Sequence, residues 1–376
     1  VLNWELIDTD ARLVEVLNEA GDSRSVMVDT EFMRRNTFYP RVALLQLCFD
    51  TGPAAETAWL IDPLEIQDTT PLVRLLTDQS VLKVLHSASE DLEVFHRWLG
   101  ILPEPMFDTQ RAAALLNIGF GMGYRNLVLA LCDVDLPKGE TQSDWLQRPL
   151  TESQCNYAAQ DVTWLLQAWR ILDSRCREQG KLDWVLADSA SALSAALNGG
   201  GAYYQRIKSA WKLDRRQLGA LVAVCDWREK TARERDKPRC WIIDDKACLQ
   251  LAQSRPSSRN ALRAAIDLPP PAQRRYTDAL LNVLERQGEV PEDDLPQRLP
   301  EPLNARQRDQ VKKLKSRVRE LAEDLDAAPE SLLQGKDYEL LVRGAAGDDC
   351  ASPAHWQGWR RKRVIEPLWQ MLGDKG

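Results

Sequence analysis

The sequence predicts an α/β N-terminal domain, a mixed sheet flanked by helices, followed by two all-α helical bundles. Three observations carry this. Apolar runs of strand length alternate with helical patterns through Arg177, and that alternation breaks at Asn198-Gly-Gly-Gly201. Further on, Pro291, Pro296, Pro300 and Pro302 crowd one short acidic stretch, which disfavours helix and strand alike and reads as a semi-rigid linker. The implied domains are 1–200, 212–290 and 303–373, in keeping with the two or three expected of 376 residues.

Taken in order, Val1-Leu-Asn-Trp-Glu-Leu-Ile7 reads as an edge strand. Strands are expected over 25–32, 42–49, 57–62, 81–86 and 106–108. Helices are expected over 10–20, 70–77, 89–99, 109–116, 125–131 and 151–177. Contiguous strands first and helix-separated strands later imply a mixed sheet with helices on its faces. In the second half, Leu218, Leu221, Val222, Cys225 and Trp227 make the apolar face of a helix that runs over 214–234.

Composition excludes several classes. With 44% hydrophobic and 28% charged residues the chain is a soluble globular protein. No run of about 18 apolar residues and no signal-peptide pattern occurs, so a cytoplasmic protein without a membrane partner is expected. The eight cysteines, Cys48, Cys132, Cys155, Cys176, Cys225, Cys240, Cys248 and Cys350, show no C-x-x-C spacing and read as reduced, mostly buried thiols. The net charge of −7 hides an asymmetry. Residues 1–200 hold 16 Lys and Arg against 29 Asp and Glu, whereas 201–376 hold 33 against 27. An acidic half with a basic distal half suits cation binding at one end and phosphate binding at the other.

Three acidic words carry the chemistry. In Ser25-Val-Met-Val-Asp-Thr-Glu-Phe32, strand period 2 sends Asp29 and Glu31 to one face. Two carboxylates held together repel unless a cation sits between them, and all-oxygen donors suit Mg²⁺ or Mn²⁺ rather than zinc. In Ser87-Ala-Ser-Glu-Asp91, Ser87 and Glu90 match a capping box, which starts a helix with Asp91 on its first turn and Leu92, Phe95 and Leu99 buried. Thr151 caps a longer helix on which Tyr157 and Asp161, four residues apart, share a face. A phenol and a carboxylate so placed can hold a water and a metal side by side. Each word alone also has a plain reading: a solvated acidic turn, a partner for the helix dipole, a packed tyrosine beside a surface aspartate. Of the three histidines, His86, His96 and His355, none sits in a nucleophile or metal spacing, and His86 reads as a packing or capping residue.

The ordered set, strand with Asp-x-Glu, capped helix with Asp, helix with Tyr-x-x-x-Asp, resembles the DEDD exonucleases of the tyrosine-bearing subclass. Its wording is similar to the ribonuclease D family: Val28-Asp-Thr-Glu-Phe32, Leu85-His-Ser-Ala-Ser-Glu-Asp-Leu-Glu-Val-Phe95, Phe107-Asp-Thr-Gln110, and Ser143-Asp-Trp-Leu-Gln-Arg-Pro-Leu150 leading into Cys155-Asn-Tyr-Ala-Ala-Gln-Asp161. The resemblance implies a ribonuclease-H-like fold and a metal-dependent 3′–5′ exoribonuclease that releases 5′-nucleoside monophosphates. Asp29, Glu31, Asp91 and Asp161 would hold two divalent cations, Mg²⁺ or Mn²⁺, and Tyr157 would orient the attacking water. The substrate it implies is structured RNA with a single-stranded 3′ end, such as tRNA precursors. RNA as the substrate comes from the resemblance alone.

Cys225-Asp-Trp-Arg-Glu-Lys-Thr-Ala-Arg233, Lys237-Pro-Arg-Cys-Trp-Ile-Ile-Asp-Asp245 and Leu249-Gln-Leu-Ala252 are similar to an HRDC domain, a small helical bundle shared by ribonuclease D and RecQ-type helicases. At an offset of 91, Arg228 and Glu229 recur as Arg319 and Glu320, Pro238 as Pro329 and Leu249 as Leu340, so a degenerate HRDC-like bundle is expected after the linker. Nucleic-acid contacts are expected from Lys138, Gln142 and Trp145, which offer a cation, an amide and a stacking surface, unless Trp145 instead plugs the sheet. On the first bundle they are expected from Arg233, Arg235, Lys237 and Arg239. The competing functions are a DNA 3′–5′ exonuclease and a catalytically silent RNA-binding scaffold; the presence of all four acidic residues speaks against the second. A monomer is expected.

Overall fold

The computed structural model describes residues 3–137, 139–140, 143–197, 202–348 and 350–373. Among these, β1 (Trp4–Ile7), β2 (Ser25–Met33), β3 (Arg41–Phe49), β4 (Ala58–Ile61), β5 (Leu82–Leu85) and β6 (Met106–Asp108) form one sheet in the order β1-β4-β3-β2-β5-β6. β3 runs antiparallel to β2 and β4, and the remaining pairs are parallel, so the sheet is mixed. β1 lies on an edge, as its sequence suggested.

Period 2 sorts the strand residues onto two cores. Met27, Leu44, Cys48, Leu60, Val84 and Phe107 face α4 (Thr109–Leu115), α5 (Tyr124–Cys132) and α6 (Glu152–Glu178). Val26, Val28, Leu45, Leu47, Phe49 and Leu85 face α1 (Asp10–Glu19), α2 (Thr70–Thr77) and α3 (Ser89–Leu99), where Leu193 of α7 (Leu182–Leu197) joins them. Because both faces are covered, the central strands read as near-continuous apolar runs. α6 begins with the expected cap: Gln154 N donates to Thr151 Oγ1 at 3.1 Å and Thr151 N to Gln154 Oε1 at 3.0 Å.

The start of α3 differs from expectation. Its N-cap is Ala88, which offers no side-chain cap, and Ser87 takes a left-handed φ of 57°. That turn aims the Ser87 and Ala88 N–H groups at the Asp108 carboxylate, whereas a capping box would turn the Ser87 N–H to the Glu90 side chain. Leu92 and Phe95 are buried as expected, whereas Leu99 is half-buried.

The chain divides into two compact units. One comprises 34–40 and 198–302; the glycine boundary at 198–201 lies outside the described residues. Its helices are α8 (Arg215–Arg235), α9 (Arg239–Ile242), α10 (Asp245–Ser254), α11 (Arg259–Ala265) and α12 (Pro270–Gly288). They close over Leu218, Leu221, Val224, Cys225, Leu251 and Leu280, with Phe38 in the same core. Arg228 of the Trp-Arg word is 2% exposed, pairs with Asp245 at 2.8 Å and donates to the Ile243 carbonyl at 3.2 Å.

The other unit joins the sheet region to residues 303–376. Its α13 (Ala305–Asp324), α14 (Pro329–Leu332) and α15 (Gly335–Ala345) repeat the long, one-turn, medium order of α8 to α10, and α16 (Glu366–Gly373) closes the bundle. It is fastened to α7 by the Trp359 ring stacked on Trp184 at 4.3 Å and by Arg360. The Arg360 guanidinium holds both oxygens of Asp188 at 2.9 and 2.7 Å and donates to the carbonyls of Leu332, His355 and Ser331 at 3.0 Å each. All five of its N–H groups are thereby satisfied, as a buried guanidinium requires. No described helix is long and apolar enough to cross a membrane.

Removing one partner of this buried pair leaves the other charge uncompensated, at a cost of about 3–5 kcal/mol. Asp188→Ala is therefore expected to lower stability by that amount in urea unfolding followed by tryptophan fluorescence; a loss below about 1 kcal/mol would place the pair among exposed, weak ones.

Candidate active site

The same period that buries Met27 carries Asp29 and Glu31 to the α6 face of the sheet. A register shift between Glu31 and Phe32 interrupts the regular pairing there. α6 crosses this face with Ala158, Ala159, Val162, Leu165 and Leu166 buried beneath it, which leaves Tyr157 and Asp161 half-buried at its rim. One oxygen from each of Asp29, Glu31 and Asp161 lies within 4.8 Å of the others. Asp91 reaches the site from α3, on the opposite side of the sheet. It accepts a hydrogen bond of 2.5 Å from Thr30 Oγ1 and acts electrostatically on both Asp29 and Glu31.

Burial dominates the electrostatics. It pushes Asp161 up to about 8 and Asp91 up to about 7, the latter against the opposing Thr30 hydrogen bond. Burial first, then repulsion from neighbouring carboxylates, holds Asp29 and Glu31 well above the usual carboxylate range. Such a set is stable as four anions only with a cation to balance it, and its donors are all oxygen, which suits a hard divalent ion. A second sign points the same way. Gln46, opposite Asp29 on β3, is fully buried, and its amide N and O have no hydrogen-bond partner among the described residues.

Tyr157 is held from two sides. Its ring lies 6.1 Å from that of Trp145, and a Cβ built on Gly139 would fall 1.9 Å from Tyr157 Cδ2. Only glycine allows this approach. Burial, then Asp161, Glu31 and Asp29, keeps the Tyr157 hydroxyl protonated, above the ordinary phenol value. The Gly139 contact was invisible in the sequence because it depends on where a loop crosses α6.

The expected nucleic-acid contacts fare unevenly. Lys138 and Gln142 lie outside the described residues. Trp145 is 1% exposed in the core beside α6, so it plugs the sheet and presents no free ring to a base, which corrects the expectation of stacking. Arg233 and Arg239 both pair with Glu229 and both lie over the Phe38 ring, at 4.8 and 4.6 Å. Arg235 lies over Tyr276, and Lys237 donates to the Asn36 carbonyl at 3.3 Å. His86 is a packed residue, with Nδ1 at 2.9 Å from Thr109 Oγ1 and Nε2 at 3.0 Å from the Met122 carbonyl.

Residues 4–177 match the family model of a 3′–5′ exonuclease, and residues 217–284 match that of the HRDC domain. Ribonuclease D of Pseudomonas paraeruginosa is 40% identical over 374 residues, covering 99% of this chain and 97% of its own. That of Escherichia coli is 33% identical over 392 residues, covering 99% of both. The crystal structure of E. coli RNase D, described as an exoribonuclease involved in structured RNA processing, superposes with a TM-score of 0.90 at 32% identity, covering 99% of both chains.

Two outcomes follow from the site. Carboxylates whose pKa is raised by folding favour the folded state below their unfolded value near 4, and that contribution is lost as pH rises through about 7 and 8. In EDTA the melting temperature is therefore expected to fall between pH 5 and 8.5, and Mn²⁺ to remove most of the fall in the wild type but not in Asp29→Asn. A flat profile in EDTA would show that the carboxylates are solvated. Gly139→Ala must displace the Tyr157 ring, so turnover is expected to drop by roughly 10–10²-fold with Mn²⁺ binding kept; unchanged turnover would free Tyr157 from this constraint.

Proposed function

The chain belongs to the ribonuclease D family of 3′–5′ exoribonucleases, and from that premise we propose that it trims the 3′ ends of structured RNA, tRNA precursors among them. In this reading it releases 5′-nucleoside monophosphates. The observation that carries the reading is the meeting of Asp29, Glu31 and Asp161 oxygens within 4.8 Å, with Tyr157 one helical turn from Asp161. Asp29, Glu31, Asp91 and Asp161 would hold two divalent cations, Mg²⁺ or Mn²⁺. When bound, such cations supply charge stabilisation for the attacking and leaving oxygens and make hydroxide available near neutral pH.

The chain's own residues do the rest. Tyr157, kept protonated, offers a hydroxyl that can both donate to and accept from a water, and so orients it for in-line attack. The ring stays in place because Trp145 and Gly139 pack against it. No protein nucleophile is needed. Domains at 1–200, 212–290 and 303–373 divide the work: the first hydrolyses, the second grips the folded part of the RNA through phosphate contacts, and the third braces the first. Eight free cysteines suit a cytoplasmic protein.

The test uses RNA and DNA of equal length, labelled at either end, with Mg²⁺, Mn²⁺ or EDTA. RNA labelled at the 5′ end should shorten stepwise from its 3′ end, and the 3′ label should leave as a mononucleotide. Asp161→Asn should slow turnover by at least about 10³-fold while RNA binding in Ca²⁺ stays within a few-fold. Tyr157→Phe should cost roughly 10²-fold with the metal titration unchanged. An Asp161→Asn enzyme near the wild-type rate, or a preference for DNA, would overturn the reading.

A further inference from the structure

The Phe107-Asp-Thr-Gln110 motif takes no part in the reaction as described, yet Asp108 is one of the most heavily engaged side chains in the molecule. The residue is 4% exposed, and its carboxylate receives the N–H groups of Gln110 at 2.9 Å and Arg111 at 3.4 Å, which is the ordinary work of an N-cap for α4. It also receives Ser87 N at 3.1 Å and Ala88 N at 3.3 Å from the neighbouring β5–α3 turn. Asp108 is itself fixed, since its N–H donates to Ser189 Oγ at 3.2 Å and the Arg111 guanidinium lies 3.7 Å from its carboxylate.

That turn needs holding. Ser87 has a φ of 57°, a left-handed conformation unfavourable for any residue but glycine, and α3 has no side-chain cap of its own. Asp91 follows on the first turn of α3, and the Thr30 hydroxyl meets it at 2.5 Å. A slip of the helix start would therefore be felt first by this carboxylate.

We propose that Asp108 is a positioning residue for hydrolysis: by receiving Ser87 N–H and Ala88 N–H it pins the left-handed turn and so delivers the Asp91 carboxylate to β2. The proposal rests on the reading that Asp91 serves the cation site. Asp108 touches neither substrate nor cation; it acts through the turn.

The experiment uses the full-length protein, with Mn²⁺ binding measured by electron paramagnetic resonance and kcat and KM measured on end-labelled RNA. Wild type against Asp29→Asn is the control; if Asp29→Asn binds Mn²⁺ as wild type does, the cation-site reading itself falls. Given that control, Asp108→Asn should weaken Mn²⁺ binding and lower kcat by about 10-fold or more each, with KM for RNA little changed. Ser87→Gly added to Asp108→Asn should recover most of both losses, because glycine adopts the turn without strain. Ser87→Val, which strains the turn but leaves Asp108 and the α4 cap intact, should reproduce the defect and decides the matter if Asp108→Asn does not fold. A folded Asp108→Asn that binds Mn²⁺ like wild type, a Ser87→Val without effect, or a failure of Ser87→Gly to rescue would each reduce Asp108 to a cap of α4 and overturn the proposal.

Discussion

Like charges do not gather by themselves, and the candidate site of this protein depends on forcing Asp29, Glu31 and Asp161 into one partly dry corner, with Asp91 close enough to act on them. Asp29 and Glu31 share a face because a strand has period 2, and Asp161 meets them because α6 is pressed onto that face by its alanines and leucines. The apolar burial of two cores, roughly 25 cal/mol per Å², supplies the stability against which the repulsion is set. Burial raises all four carboxylates above their ordinary range, so the same packing that makes the fold also makes the site a sink for a divalent cation.

Around this corner the structure provides props more than reactants. Asp108 steadies the turn that leads to Asp91, Gly139 and Trp145 bracket Tyr157, and Gln46 stands opposite Asp29 with an amide unpartnered among the described residues. Asp108 ends β6, Gln46 lies on β3, and Gly139 and Trp145 lie in the loop between α5 and α6. None is near its client in sequence.

The basic half has a similar economy. Arg233 and Arg239, which in the sequence look like free cations awaiting phosphate, share Glu229 and cover Phe38, so part of the positive charge of that segment holds its own unit together. Arg228 is buried on Asp245. In the second bundle Arg360 is likewise spent on Asp188 and three carbonyls. A count of Lys and Arg thus overstates the charge available to a nucleic acid, because a guanidinium has five donors and a stacking face that a fold can use internally.

The sequence by itself determined the strands of the first half and its helices up to α6, the two faces of β2, the capped start of α6 and the shared helix face of Tyr157 and Asp161, because period, capping and residue type are local; α7 it did not announce. It misread the cap of α3: Ser87 and Glu90 have the right spacing, but α3 starts without a side-chain cap, and Asp108, some twenty positions along the chain, receives the N–H groups of the turn before it. It left Trp145 open between stacking on a base and plugging the sheet, and packing against α6 decided for the plug. Nor does any local pattern announce that contacts group 34–40 with 198–302 and 303–376 with the sheet unit. Those outcomes required tertiary structure, since each depends on which distant groups share a buried space, and burial decides between a free charge, a paired one and a packed ring.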